Sequence, residues 1–124
     1  MAEGFQDLLV ELFEPVEGVS FRKMFGGIGI FRLGIMFALV ADDTLYLRAD
    51  ESSSIDFKAE SCGPFVYDGK NRPHVMPYWR LPERLYDEPD DFRRWALNAF
   101  AVAQRAKEEN PKKKRRPAKR KINA

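Results

Sequence analysis

Closely spaced turn signals constrain the first half of this chain more than anything else in it. Gly26-Gly27, Leu33-Gly34 and Asp42-Asp43 each interrupt an apolar, strand-forming stretch. Val19, Phe21 and Lys23 alternate with Ser20, Arg22 and Met24 before the first turn, and Ile28, Ile30 and Phe31 resume after it. Ile35-Met36-Phe37-Ala38-Leu39-Val40-Ala41 is a continuous apolar run, too short for a convincing helix and suited to a central strand buried on both faces. Thr44-Leu45-Tyr46-Leu47-Arg48 then makes a fourth strand. So little chain separates these stretches that only hairpins fit between them, which predicts an antiparallel meander.

The flanks read as helices and one further hairpin. Phe5, Leu8, Leu9, Leu12 and Phe13 share one helical face, and Pro15 stops that helix. Ser53 and Asp56 match a capping box ahead of Ile55 and Phe57, in a short helix closed by Gly63-Pro64. Phe65-Val66-Tyr67 and His74-Val75-Met76 are two brief strands, followed by an irregular connection punctuated by Pro77, Pro82 and Pro89. From Pro89, the residues Phe92, Trp95, Ala96, Ala99 and Ala103 recur at helical spacing, with Asp90 and Asp91 at the positive end. The predicted fold is α+β: one domain over 1–110, order α-β-β-β-β-α-β-β-α, its antiparallel meander covered by helices.

Composition agrees with one self-sufficient core. The 124 residues are 44% hydrophobic and include ten Phe, enough to fold without metal or disulfide staples. Cys62 is the lone cysteine and has no internal partner, which suits a reducing cytoplasm. No apolar run reaches the roughly 20 residues of a membrane helix, and the N-terminus lacks a signal-peptide layout, so no membrane association is expected. Charge is divided unevenly. Eight of the 21 Lys and Arg lie beyond Pro111, with none of the 19 Asp and Glu, so residues 1–110 hold 13 basic against 19 acidic groups, a formal charge of −6.

That tail, 111–124, carries Lys112, Lys113, Lys114, Arg115, Arg116, Lys119, Arg120 and Lys121. It cannot form a core, is expected to be disordered, and offers counterion release to a polyanion. Without interleaved aromatics it has no stacking platform and no base-reading element, so its nucleic-acid contact would ignore sequence.

Catalytic motifs are sparse. Gly26-Gly27-Ile28-Gly29 suggests a phosphate loop, but Arg32 stands where a dinucleotide motif needs glycine, and the chain continues as strand rather than helix. Cys62 and His74 could form a thiolate–imidazole pair, but they are too few donors for zinc; neither metal nor cofactor is expected. Asp42-Asp43 and Asp90-Asp91 read as a turn and a helix start. Arg22 beside the glycine turn, and Tyr78-Trp79, have the composition of a partner surface, with core packing the alternative for the aromatic pair.

The order Met24-Phe25-Gly26-Gly27, followed by Gly34-Ile35-Met36-Phe37 and Leu45-Tyr46-Leu47-Arg48-Ala49-Asp50, resembles the TfoX N-terminal domain of the TfoX/Sxy competence-regulator family. The resemblance extends more weakly through Pro64-Phe65-Val66-Tyr67 and Met76-Pro77-Tyr78-Trp79 to Trp95-Ala96, covering about residues 5–105. It implies a small bacterial cytoplasmic domain linked to transcriptional regulation of DNA uptake, where full-length relatives act with a cyclic-AMP receptor protein and carry a second, C-terminal domain. It supplies no catalytic residues. The leading expectation is a non-enzymatic regulatory adaptor that binds a protein partner of the transcription-factor type and contacts nucleic acid through the tail. The alternatives are a small-ligand or enzymatic pocket near Gly26-Gly27 and a homodimer formed through the sheet or the Trp95 helix.

Overall fold

In a computed structural model of the chain, residues 3–24, 26–68 and 72–109 are described. The tail cations, and Phe25 of the Met-Phe-Gly-Gly sequence, lie outside them. The elements are α1 (Glu3–Leu12), β1 (Val19–Met24), β2 (Gly27–Arg32), β3 (Ile35–Ala41), β4 (Thr44–Arg48), α2 (Ser54–Ala59), β5 (Pro64–Asp68), β6 (Pro73–Arg80), a 3-10 turn (Glu83–Asp87) and α3 (Pro89–Glu109). The α+β class and the predicted element order hold.

All six strands form one antiparallel sheet in the order β1-β2-β3-β4-β6-β5. The first four make the expected meander. α2 then carries the chain past β4, and the last hairpin returns with β6 against β4 and β5 at the edge. Tight turns set the register. Leu33 (φ 53°) and Gly34 (φ 76°) both adopt left-handed backbone between β2 and β3, as do Asp42 (φ 51°) and Asp43 (φ 56°) between β3 and β4. Two such residues in succession match the right-handed twist of the strands they join.

One face of the sheet receives all three helices. Phe13, just past α1, meets Phe21, Phe37 and Phe92 edge-on at 5.0–6.0 Å. Phe37 also meets Phe100 of α3, and Phe57 of α2 packs on Trp95 and Trp79. Each edge-to-face pair contributes about 0.5–1.5 kcal/mol beyond its area burial. Leu9, Ile30, Val40, Leu45, Leu47 and Leu85 fill the space between these rings.

Several local expectations are corrected. Gly27 is not a turn residue: it pairs with Met24 and Ala41 as the first residue of β2. β3 is central but not buried on both sides, since Met36 and Leu39 are only half-buried. Its alternation is broken by a bulge. Ile30 opposes Ala38 while Phe31 opposes Met36, so Phe37 has no opposite number and turns into the core beside Ala38. The predicted capping box is displaced by three residues. Ser53 makes no cap bond to α2; instead its N–H donates to Asp50 Oδ1 (2.8 Å), and the Asp50 N–H donates to Ser53 Oγ (3.0 Å). Asp50 outcompetes Asp56 because the turn 50–53 precedes the helix and holds both backbone amides within side-chain reach. β6 is longer than read from sequence and runs through Pro77. The proline is tolerated because it lies across from the irregularity between Pro64 and Val66, where the ladder is already interrupted. Leu8, placed on the core face from its spacing, is 38% exposed.

Candidate functional site

The helices leave the second face of the sheet uncovered by any described helix. Side chains alternate across a strand, so register alone assigns that face. Arg22 stands opposite Gly29, Gly29 opposite Leu39, Leu39 opposite Tyr46, and Tyr46 opposite Arg80. One row thus crosses five strands and ends in an arginine at each side, the Arg80 guanidinium donating to the Ser61 carbonyl (3.5 Å). At about 4.8 Å per strand, the two arginines are separated by about 19 Å.

Contacts confirm the assignment. The Arg22 guanidinium lies 4.9 Å from the centre of the Phe31 ring, and the Tyr46 and Phe65 rings are 4.9 Å apart. A methyl group added at Gly29 would meet Met24 Sδ, Phe31 Cε1 and Met36 Sδ, so this glycine lets three side chains close over one spot. Arg48 pairs with Tyr78 farther along β4, away from the open part of the face: its guanidinium sits 5.6 Å from that buried ring, and the residue lines a cavity of about 480 Å³ with Asp56, Phe57 and Trp95. Arg48 Nε is buried without a hydrogen-bond partner among the described residues. Burial raises the Tyr78 hydroxyl pKa, and the Arg48 hydrogen bond only partly opposes this.

Charge on this face has one sign. The six strands contain a single acidic residue, Asp68, which pairs with Pro73 at the sheet margin. The remaining acidic groups of the described body sit on helices, turns and loops. The uncovered face therefore joins Arg22 and Arg80 to Phe31, Tyr46 and Phe65 with no acidic strand residue in the row between them, whereas Arg48 lines the cavity with Asp56 and Phe57 of α2 and Trp95 of α3.

A second feature lies along edge strand β1. A groove of about 220 Å³ runs between α1 and β1, lined by Leu9, Val10, Phe21, Arg22 and Lys23. Val10 is 61% exposed and Phe21 38%. A recess of about 280 Å³ adjoins it at Gln6, Lys23, Met24, Gly26 and Gly27. Its side-chain polar groups are Gln6 and Lys23. The two hairpin glycines serve different ends. Gly26 (φ 66°) supplies left-handed backbone in open space, whereas a Cβ on Gly27 would fall 2.1 Å from the Val40 carbonyl oxygen of β3.

Of the residues singled out from sequence, Arg22 is exposed and belongs to both the groove and the uncovered face. Tyr78 is buried at 4% exposure, and Trp79 is half-buried against Phe57 on the helical side. Cys62 is buried at the end of the α2 turn, its Sγ 3.7 Å from the Glu60 carbonyl, and burial pushes the thiol pKa up. His74 opposes Tyr67, three residues along β5 from Pro64 and so about 10 Å farther down the hairpin. The structure does not bring the two together. Among the described residues, no group of three or more His, Cys, Asp or Glu is placed to hold a metal.

Sequence reading missed an ion-pair cluster. Arg84 of the 3-10 turn binds Glu60 (2.7 Å), Glu88 (2.8 Å) and Asp91 (2.7 Å), and its hydrogen bonds hold the Glu60 carboxyl below its ordinary range. This clamp joins α2 to the start of α3. Only the i,i+4 pair Arg84–Glu88 is local in the sequence; Glu60 and Arg84 meet only once the sheet is folded.

An antiparallel sheet with three helices on one face, no described helix on the other, and a glycine-tight first hairpin define a small α+β domain. The sequence profile of the TfoX N-terminal domain matches residues 11–103, three quarters of the chain. The chain belongs to that family. It is also similar to the DNA transformation protein TfoX1 of Aliivibrio fischeri (strain ATCC 700601 / ES114), 32% identical over 68 residues. That match covers 55% of this chain and 32% of the relative, so the shared region is about a third of the relative's length. Among the described residues, no helix is long and apolar enough to cross a membrane.

Proposed function

We propose that the chain is a TfoX-type regulatory domain acting as a non-enzymatic adaptor in DNA uptake, with a folded body that docks on a protein partner and a tail that holds nucleic acid without reading sequence. The observation that carries this reading is the charge division: a body of formal charge −6 joined to a tail of eight cations and no anions. An acidic body is repelled by duplex DNA, so the tail is the element suited to contact with duplex phosphates. The groove beside Arg22 is the docking surface this reading favours, because Val10 and Phe21 offer apolar area next to two cations. Family membership supports a partner of the transcription-factor type and a cytoplasmic setting as parts of this reading. The thiol of Cys62, kept protonated by burial, has the wrong bias for a nucleophile.

Mobility shift on duplex DNA tests the tail, and affinity capture with and without nuclease tests the body. If about six tail cations contact phosphate, log affinity falls with log salt at a slope of about −5, and deleting residues 111–124 abolishes the shift. Capture that survives nuclease supports the protein-adaptor role. Unchanged duplex binding after deletion, or none by the intact chain at low salt, removes the tail from the reading.

A further inference from the structure

We propose that the uncovered face of the sheet is a binding platform for unpaired, single-stranded nucleic acid. Two requirements define such a platform: accessible ring faces on which bases stack, and cations that track the backbone without competing carboxylates. The row from Arg22 through Leu39 and Tyr46 to Arg80 meets the second requirement, with an arginine at each end, their backbones about 19 Å apart, and no acidic residue between; the Arg80 guanidinium rests on the Ser61 carbonyl at 3.5 Å. Phe31, Tyr46 and Phe65 meet the first. Each is half-buried, leaving part of the ring in solvent.

The absence of carboxylates is what separates this occupant from a protein. Protein interfaces also favour aromatic, Met and Arg side chains, but in a body of net charge −6 the six strands hold one acidic residue, Asp68, at the sheet margin. Single-sign segregation of that kind selects a polyanion. Duplex does not fit, because its paired bases present edges in grooves and no ring faces for stacking. A second copy is disfavoured by the like charge of the two bodies, and the tail of this chain by its own cations. The platform supplies the stacking that the tail lacks, so the two would act on different forms of nucleic acid.

The test uses the full-length chain with all eight tail cations, Lys112 to Lys121, replaced by glutamine. Fluorescence anisotropy is read on a labelled oligothymidylate and on a duplex of equal length. The oligothymidylate is expected to bind and the duplex not, with a log-log salt slope of about −1.4 from two arginines at about −0.7 each. Tyr46→Ala should weaken binding by about five- to a hundred-fold, the loss of one base-stacking ring, while Tyr46→Phe restores it. Arg22→Ala and Arg80→Ala should each flatten the slope by about 0.7. Circular dichroism melts verify that each variant folds. A 4-thiothymidine-substituted strand should crosslink to peptides from β2, β4 or β5. Absence of oligothymidylate binding at low salt, equal affinity for duplex, or Tyr46→Ala binding like the parent overturns the proposal; the first outcome makes the face a protein surface.

Discussion

Gly27→Ala should be the most damaging change in the first hairpin, for a reason unrelated to turn conformation. The added Cβ would stand 2.1 Å from the Val40 carbonyl oxygen and 3.2 Å from its carbon, both backbone atoms of β3. Backbone in a paired strand cannot rotate away as a side chain does. Relief requires β2 and β3 to separate by nearly 1 Å where Gly27 opposes Ala41 and Ile28 opposes Val40. Overpacking of this kind costs about 1–3 kcal/mol and one or two weakened ladder hydrogen bonds about 1 kcal/mol more, so the total is about 2–4 kcal/mol. At about 4 °C per kcal/mol for a domain of this size, the melting temperature should fall by about 8–16 °C. Gly26→Ala is the matched control. Its Cβ meets nothing within 4 Å, and only the left-handed backbone at φ 66° is strained, about 1 kcal/mol. Urea unfolding of the two variants gives both values, with an unchanged slope indicating that the denatured state is unaffected. Equal losses, or a smaller loss for Gly27→Ala, would refute the close-approach argument.

Two further predictions concern turns. Leu33 holds φ 53° at 75% exposure, so Leu33→Asn should stabilise by about 0.5–1 kcal/mol and raise the melting point by a few degrees, measured by calorimetry. Asp50→Ala removes the bond its carboxylate accepts from the Ser53 N–H (2.8 Å) and the Arg105 contact (3.2 Å), leaving the backbone bond to Ser53 Oγ, and should cost about 1 kcal/mol at neutral pH. The Ser53 N–H holds the Asp50 carboxyl below its ordinary pKa. A depressed acid stabilises fully above its unfolded pKa of about 3.9 and loses that contribution as pH falls through the folded value. The gap between Asp50→Ala and the parent should therefore narrow below about pH 4, and a gap that persists there would mean the cap is not ionic.

The elements were legible because their signals are local. Turn residues at Gly26, Leu33-Gly34 and Asp42-Asp43 impose hairpins on any chain with so little sequence between them, and helical spacing in Phe92, Ala96, Ala99 and Ala103 identifies the closing helix. The position of β6 was not legible. Whether β5 or β6 returns beside β4 depends on where α2 delivers the chain, which no residue in either strand encodes. The uncovered face inherits that limit. Alternation within β1 and β4 already puts Arg22 and Tyr46 on definite sides, but joining them to Arg80 requires the β4–β6 pairing. The charge segregation, by contrast, can be read from the chain once the strands are marked, because only Asp68 is acidic within them.

The bulge in β3 changes how a gap in this sequence should be interpreted. Phe37 has no opposite residue in β2, yet its ring joins Phe13 to Phe100 across the core. Remove that one position and the pairing of Met36 with Phe31 and of Ala38 with Ile30 becomes continuous, with every other side chain still on its present side. The ladder is thus complete without the residue that links the first and last helices. A relative one residue shorter between Met36 and Ala38 has lost a ring from the middle of the domain, although an aligner would score the difference as a minor slip inside a strand.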